Sequence, residues 1–409
     1  MPLDDVDDPF EEFNRAMGAG IVSDPYPDFV ELRKQAPVVP TDVRRLMGLD
    51  ESVVLPEEMP DVYTVLTFDG VQQVLRDGET FSSAGYAAVM GPVMGHTILE
   101  MDEPEHHAYR ALVQQAFTRK AMERWSNDLI GPVIDEMIDA FVDDGRTELV
   151  RNLTLPFPVT VIAGMLGLPR EDLPQFHRWT IELIGVSIDW ERAIAASKRL
   201  ADYFQAIIDE RRVSPTDDVI SVLAHAELDG HRLTDDEIIA FLRVLLPAGA
   251  ETTYRSSSNL LVGLLRHPEQ LDAVRADRSL VPRAIEEGLR WEPPLLTIQR
   301  TATRDTEIDG VPVKEGTVLV VNLGAANHDP TRWDRAEEFD VFRDPAQHMA
   351  FAFGPHMCLG MHLARMETAV LLDRLFDRLP GLRLDPDAEP PLITGMTFRS
   401  PTTLHVAWG

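Results

Sequence analysis

The sequence is poor in cysteine, in positive charge and in long apolar segments. Its 409 residues contain one cysteine, Cys358, which excludes an intramolecular disulfide and any site built from several thiolates. The net charge of −30 argues against a basic face for nucleic acid and against binding to anionic membranes. No uncharged run makes a comfortable membrane span, and the acidic first residues do not resemble a secretory signal. We therefore expect a monomeric cytoplasmic protein that binds neither nucleic acid nor membranes.

The composition predicts one globular domain behind an acidic tail. Hydrophobic residues make up 44% of the chain and charged residues 26%, which are values typical of globular proteins. Residues 1–20 open with clustered Asp and Glu, and we expect this segment to be flexible. Residues 21–409 contain no internal repeat and no low-complexity linker, so we expect them to form a single domain.

Helical patterns occupy the middle of the chain, mainly over 105–267. The longest helix is predicted from Thr234 to about Arg266, because Thr234 and Glu237 have the spacing of a capping box. The sequence therefore predicts a mainly α protein with small β-sheets, of the α+β class. Strands are predicted within 62–68, 295–321 and 382–407, and the segment 295–321 is expected to turn at Asp309-Gly310.

The long helix contains unusual residues in its apolar middle. Pro247 removes a backbone hydrogen bond and Gly249 weakens the same turn, so we expect a kink. One interpretation is a kink that fits a neighbouring helix, with Glu251 on a wet face. The other is a groove for O₂ and water, where Glu251 and Thr252 deliver protons. The residues alone leave both interpretations open.

Cys358 lies in the decapeptide Phe351-Ala-Phe-Gly354-Pro-His-Met-Cys358-Leu-Gly360, ahead of a helical pattern over 359–379. Gly354 and Gly360 permit a positive φ and a close approach of the backbone to a flat group. A thiol at a helix N-terminus is stabilised as thiolate by free N–H groups and the helix dipole. The cysteine alone is also compatible with a small buried hydrophobe or a nucleophile.

The pattern Phe351-x-x-Gly354-x-x-x-Cys358-x-Gly360 resembles the haem-binding loop of the cytochrome P450 family. The resemblance implies that the Cys358 thiolate is the axial ligand of haem b, iron protoporphyrin IX. Ala352 departs from the pattern, because many bacterial relatives have glycine there. If that position requires a positive φ, alanine costs about 1 kcal/mol.

The segment Ala248-Gly249-x-Glu251-Thr252-Thr253 resembles the oxygen-activation segment of the same family. The resemblance implies that Ala248 and Gly249 lie against the haem. It also implies that Thr252 holds the bound oxygen while Glu251 relays protons from solvent.

Glu287 and Arg290 have the i, i+3 spacing of a helical ion pair, which by default lies on the surface. The pair is followed by Trp291-Glu-Pro-Pro294, as in bacterial relatives. The resemblance implies a buried network with Arg343 that fixes the cysteine loop and contributes to haem retention.

Four further residues match family positions that hold the haem propionates, for which the arginine fork is well suited. His106 is preferred to His107, because it lies four residues before Arg110 on one helix face. The four residues are His106, Arg110, Arg300 and His356.

The resemblance covers nearly the whole chain and implies the cytochrome P450 fold, with a long kinked helix over the haem. It implies a haem-thiolate monooxygenase that inserts one oxygen atom from O₂ into a hydrophobic small molecule. Electrons would come from NAD(P)H through a ferredoxin reductase and a ferredoxin. A peroxygenase that uses H₂O₂ and a non-catalytic haem protein are the alternatives, but neither needs Glu251 and Thr252. A helical scaffold without cofactor would leave Cys358 an ordinary thiol.

By the same analogy we expect an apolar substrate pocket. An acidic ferredoxin would need a local basic patch on this acidic protein, for which Arg119, Lys120 and Arg365 are the candidates. The expected pocket residues are Met90, Met94, Val244, Ala248, Leu295, Leu296, Ile298 and Met396.

Overall fold

The computed structural model describes residues 9–16, 18–47, 61–185 and 189–409. Helices dominate the described residues, and each of these helices is too short or too polar to span a membrane. The helices are α1 (Pro9–Ala16), α2 (Tyr26–Gln35), α3 (Val43–Leu46), α4 (Phe68–Arg76), α5 (Tyr86–Met94), α6 (Glu105–Val113), α7 (Arg119–Trp125), α8 (Gly131–Asp139), α9 (Pro156–Met165), α10 (Leu173–Ile184), α11 (Trp190–Val213), α12 (Val219–His225), α13 (Asp235–Arg266), α14 (Pro268–Ala276), α15 (Val281–Trp291), α16 (Leu323–Asn327) and α17 (Met361–Arg378).

The strands are short and form small sheets, as predicted. They are β1 (Val38–Val39), β2 (Val62–Val65), β3 (Phe81–Ser82), β4 (Arg146–Glu148), β5 (Glu227–Leu228), β6 (His231–Arg232), β7 (Thr297–Ala302), β8 (Thr306–Ile308), β9 (Val311–Val313), β10 (Val318–Asn322), β11 (Arg383–Leu384), β12 (Ile393–Thr394), β13 (Ser400–Pro401) and β14 (His405–Ala407).

The largest sheet has five strands in the order β1-β2-β10-β7-β3. Strand β10 pairs with β2 in parallel and with β7 in antiparallel register, so it is the central strand. Asp309 and Gly310 both have positive φ and turn β8 into β9, as the Asp-Gly pair predicted. The predicted strands at 62–68 and 295–321 are therefore confirmed.

Helix α13 crosses the domain and carries the centre of the core. Thr234 caps it, and both hydrogen bonds of the predicted capping box with Glu237 are present. Its 32 residues span about 48 Å, and it packs against α9, α11, α15 and α17. The helix runs without a break through Pro247. Gly249 allows the close approach of α9, because a Cβ there would lie 2.7 Å from Ile162 Cδ1.

The N-terminal segment differs from the predicted flexible tail over residues 9–16. Residues 9–16 form α1, and Asn14 is buried at 7% exposure. The Asn14 Oδ1 atom accepts a hydrogen bond of 2.7 Å from Arg255 Nη2 of α13, and Glu11 pairs with Arg151. The acidic residues of α1 therefore find partners in the domain, which the charge pattern alone did not show. Residues 1–8 lie outside the described residues.

Candidate active site

The loop that carries Cys358 is a tight turn closed by its own backbone. The Cys358 N–H donates to Phe351 O at 2.9 Å, and the Ala352 N–H donates to Met349 O at 2.8 Å. Ala352 has φ of +57°, so this position does adopt the conformation in which alanine costs about 1 kcal/mol. Gly354 has φ of +74°, and a Cβ there would collide with the carbonyl oxygen of Leu75. The loop therefore requires glycine at 354 and tolerates strain at 352.

Gly360 differs from the prediction of a positive φ. It is the N-cap of α17 with φ of −86°, and a Cβ there would meet no atom of the described residues within 4 Å. The open space in front of Gly360 is what a flat group packed over the loop would require.

The thiol of Cys358 is surrounded by protein and yet reaches solvent. Burial raises the pKa of Cys358, and the Gly360 N–H, Arg110 and Arg365 partly oppose that rise. Cys358 is nevertheless exposed to solvent. A thiol that points into an internal cleft accounts for both the raised pKa and the exposure to solvent. A metal bound at Sγ would remove the proton outright.

Helix α13 has an open face in its otherwise buried middle. Ala248 is exposed, and Leu245, Gly249 and Thr252 are partly exposed, at the spacing of one helical face. The Thr252 hydroxyl donates to Ala248 O at 2.7 Å, the backbone bond that threonine makes in kinked helices. This face provides a wall formed by Leu245, two small residues and one hydroxyl.

Glu251 is buried beside this wall at 5% exposure. Its Oε2 accepts two hydrogen bonds from Arg255, from Nη2 at 2.9 Å and from Nε at 3.1 Å. Arg255 is buried as well and donates through Nη1 to Ser400 Oγ at 3.0 Å. The wet helix face that the sequence left open is therefore excluded, and the carboxylate has a charged partner that sequence reasoning missed.

The four predicted propionate residues lie around the cysteine loop. The rings of His106 and His356 are 4.0 Å apart, and Arg110 Nη2 donates to Met357 O at 2.8 Å. Arg300 is buried, and desolvation lowers its pKa. Desolvation, reinforced by Arg300, lowers the pKa of His356 to about 3, so its ring is neutral, and its Nε2 lies 3.2 Å from the Ser83 hydroxyl oxygen.

An unpartnered nitrogen in this cluster tests whether haem fits. His106 is 1% exposed, and within the described ranges its Nε2 has no hydrogen-bond partner although it is buried. A buried polar atom without a partner costs about 1–3 kcal/mol, so the site suits a further polar group beside His106. His106, rather than the exposed His107, is the buried member of the pair. The cationic cluster, the open wall of α13 and the lone thiol fit a haem.

Glu287, Arg290 and Arg343 form the predicted buried network. Arg290 Nη2 lies 2.7 Å from Glu287 Oε1, with side-chain exposures of 1% and 4%, and Arg343 Nε lies 3.2 Å from Glu287 Oε2. Arg290 also donates to the carbonyls of Asn327, Ala336 and Glu338. The network is therefore a core feature of the fold.

The network reaches the cysteine loop through one further residue. Arg290 bonds to the carbonyl of Asn327, and the Asn327 side-chain oxygen accepts from the Met349 N–H at 2.7 Å. Met349 O in turn accepts the bond that closes the loop at Ala352. Asn327 was missed in the sequence, because nothing local marks it.

Glu367 of α17 is a second missed carboxyl group. It is 2% exposed and faces Thr253 of α13, so it lies between the two helices that flank the cleft. Burial raises the pKa of Glu367 to about 8, and the group is therefore mostly protonated at neutral pH.

The predicted pocket residues fall into two groups. Ala248 is exposed, and Met90, Leu295 and Ile298 are partly exposed. Met94 and Val244 are buried in the main core. Leu296 and Met396 are fully buried in a small cluster beside the five-stranded sheet. They therefore lie behind the predicted pocket wall and not on it.

The predicted basic patch is largely neutralised. Arg119 pairs with Glu123 at 2.8 Å, and Arg365 binds both oxygens of Glu286 at 2.6 and 2.8 Å. Lys120 is exposed, and no carboxylate of the described residues pairs with it. Arg76, which the sequence did not single out, lies over the ring of Phe353 in the cysteine loop, 5.1 Å from its centroid.

A single thiol in a cleft, beside cationic groups that can bind the two propionates of a haem, defines a haem-thiolate site. A family model described as Cytochrome P450 matches residues 176–402. The steroid C26-monooxygenase of Mycolicibacterium smegmatis is 37% identical over 351 residues, which cover 84% of this chain and 86% of that protein.

Solved structures agree with this match over almost the whole chain. Cytochrome P450 CYP109Q5 from Chondromyces apiculatus is 32% identical with a TM-score of 0.85, covering 96% of this chain and 97% of that chain. CYP109E1 from Bacillus megaterium, in complex with testosterone, is 33% identical with a TM-score of 0.83, covering 94% and 99%. The chain belongs to the cytochrome P450 family and is an oxidoreductase of that kind. Its cofactor is haem b with an axial cysteine thiolate, and Cys358 is the only cysteine in the sequence.

Proposed function

We propose that the protein is a monooxygenase for a hydrophobic small molecule, supplied with electrons from NAD(P)H through a ferredoxin reductase and a ferredoxin. One oxygen atom of O₂ enters a C–H or C=C bond and the other leaves as water. The reaction consumes two electrons and two protons. The observation that carries the proposal is the pair Glu251 and Thr252 beside the open wall of α13, since a route for protons distinguishes this reaction from the use of H₂O₂. We expect the protein to act as a cytoplasmic monomer.

Some residues would bind the haem, and others would deliver protons. Cys358 would supply the axial thiolate, which favours O–O cleavage when haem is bound. Four residues would hold the propionates: His106, Arg110, Arg300 and His356. The Thr252 hydroxyl can turn from Ala248 O to donate into the cleft, and Glu251 can return its proton.

The substrate is proposed to be apolar and of about steroid size. The partly exposed residues near the cleft include Met90, Leu295 and Ile298, whose side chains carry no charge. The similar protein from Mycolicibacterium smegmatis is named a steroid monooxygenase, and one similar structure holds testosterone. A titration series of steroids, terpenoids, fatty acids and aromatics, read as the shift of the haem from low to high spin, tests this class.

Turnover with two oxidant systems tests the function. We expect product from O₂ with NADH, a ferredoxin reductase and a ferredoxin, at a rate well above that with H₂O₂ alone. Product from H₂O₂ alone at an equal or higher rate would favour the peroxygenase. Haem binding without product from either oxidant, for every substrate that shifts the spin state, would favour the non-catalytic haem protein.

Thr252→Ala should uncouple O₂ consumption from product formation. The variant should bind substrate and oxidise NADH normally but release much of the O₂ as peroxide, because the donor beside the cleft is lost. The measurement is product and peroxide formed per NADH. Thr252→Ser, which keeps the hydroxyl, is the matched control and should retain coupling. Coupling equal to wild type in Thr252→Ala would leave Thr252 a helix-packing residue.

Reversal of the unpaired cations should slow electron transfer from a ferredoxin. Arg119 and Arg365 are held by carboxylates, so we expect Arg76 and Lys120 to supply the local positive field. Arg76→Glu with Lys120→Glu should lower the rate of the first electron transfer about tenfold at low salt, and the deficit should shrink as salt rises. Lys198→Glu, at an exposed position of α11, makes the same kind of reversal elsewhere and should have little effect. An equal loss in both proteins would point to net charge instead of a docking face.

A further inference from the structure

The two oxygens of the Glu251 carboxylate have different surroundings. Arg255 holds Oε2 through two nitrogens, and Asn14 and Ser400 hold Arg255 in turn. Among the described residues nothing hydrogen-bonds to the other oxygen, Oε1, and no bond joins Glu251 to Thr252. The ion pair thus fixes the carboxylate and leaves one oxygen for another partner.

Glu251 also lines a small cavity between α9, α10 and α13. The volume open to the centre of a water molecule in this cavity is about 10 Å³, which is about the volume that one bound water requires. Three lining residues carry polar side chains that such a water can bond to, Glu251, His177 and Thr180. The remaining walls are apolar and exclude further water: Leu155, Val159, Ile181 and Ala250.

His177 connects this cavity to the surface. It lies on α10, and its side chain is partly exposed although it also lines the cavity. Within the described ranges its ring nitrogens have no hydrogen-bond partner. Burial lowers the pKa of His177 to about 4, so the ring is neutral at physiological pH. A neutral imidazole carries one N–H donor and one acceptor nitrogen, which is what a proton relay requires.

We propose that His177 passes protons from solvent to Glu251 through one water bound between them and Thr180. The inference rests on the proposed function, because only the O₂-dependent reaction consumes protons from solvent. His177 would touch no reacting atom. It is a positioning residue that acts through Glu251.

The proton transfer balances without another reactant. The acceptor nitrogen of His177 takes a proton from solvent, and the other nitrogen gives its own to the water. The water gives a proton to Glu251 Oε1, and Glu251 passes it towards Thr252. Rotation of the His177 ring, which turns the protonated nitrogen towards the cavity again, then restores the starting state. Arg255 does not move in this scheme; it keeps Oε2 occupied, so that Oε1 remains the atom that receives the proton.

His177→Phe removes the relay and fills the space, and Thr180→Val removes the hydroxyl that would hold the water. In both variants we expect the substrate-induced spin shift and the first electron transfer to match wild type. Product formation with O₂ should fall about tenfold in His177→Phe and its solvent isotope effect should rise, with more peroxide per NADH. His231→Phe, on the exposed strand β6, is the matched control and should behave as wild type.

Two further measurements separate a relay from a packing defect. H₂O₂ brings its own two protons, so peroxide-driven turnover should be retained in His177→Phe, whereas damage to the site would lower both reactions. The double variant His177→Phe/Glu251→Gln should be no slower than Glu251→Gln alone, because both changes would interrupt one route. A crystal structure should show one ordered water between His177 and Glu251 in the wild type.

Four outcomes would overturn the relay while leaving the monooxygenase intact. They are wild-type coupling in His177→Phe, equal loss of the two reactions, additive effects in the double variant, and a cavity without ordered water. Failure of the proposed function itself looks different, since the wild-type protein would then form no product from O₂ with electron donors.

Discussion

Cys358→Ser should abolish the long-wavelength absorption band of the reduced, CO-treated protein and lower O₂-dependent product formation at least about a hundredfold. A serine hydroxyl keeps its proton near neutral pH and does not supply the electron density of a thiolate to the iron. No second thiol can take over, because the sequence contains one cysteine. The measurements are the difference spectrum and product per haem.

The control for this substitution lies in the same loop. Ala352→Gly should keep the band and raise the free energy of unfolding by up to about 1 kcal/mol, because Ala352 sits at φ of +57°. Loss of the band in both variants would indicate that any change in the loop disturbs it. An unchanged band in Cys358→Ser would refute ligation by Cys358.

Local sequence signals predicted the parts of the structure that depend on neighbours in the chain. The capping box at Thr234 and Glu237 marked the start of α13, and the Asp309-Gly310 pair marked a hairpin turn. The departure at Ala352 pointed to a residue that does adopt a positive φ. These features are encoded within a few residues and were predicted correctly.

Features that join distant segments could not be predicted in the same way. Asn14 and Arg255 are 241 positions apart, and the acidic start of the chain gave no sign that a helix there would bury Asn14. Leu296 and Met396 have apolar side chains that suit a pocket or a core equally well, and only packing decided for the core. His177 became a candidate only when its cavity with Glu251 was visible.

The charged residues show the same distinction. The pair Arg119 and Glu123 has the i, i+4 spacing that allows a helical ion pair, so its neutralisation was readable in the sequence. Arg365 binds Glu286, which is 79 positions away and belongs to another helix. Neutralisation of Arg365 therefore depended on the tertiary structure.

Glu287→Ala should have the largest effect on stability, lowering the free energy of unfolding by about 3–5 kcal/mol and reducing haem content after purification. The substitution leaves Arg290 buried at 1% side-chain exposure without its carboxylate partner, and it removes the partner of Arg343 as well. Arg290 would then hold the segment around Asn327 less firmly, and Asn327 is the residue that bonds to Met349 beside the cysteine loop. Denaturant unfolding and the ratio of haem to protein measure the two effects.

Glu136→Ala is the control that shows how much of the effect of Glu287→Ala comes from burial of the ion pair. Glu136 also binds an arginine, Arg170, at 2.9 Å, but the two side chains are 63% and 71% exposed. We expect this change to cost less than about 1 kcal/mol and to leave haem content unchanged, because solvent replaces the lost partner. Equal small losses in Glu287→Ala and Glu136→Ala would mean that the buried network contributes no more than a surface pair. A large loss in Glu287→Ala with full haem retention would confine the network to stability and separate it from the cysteine loop.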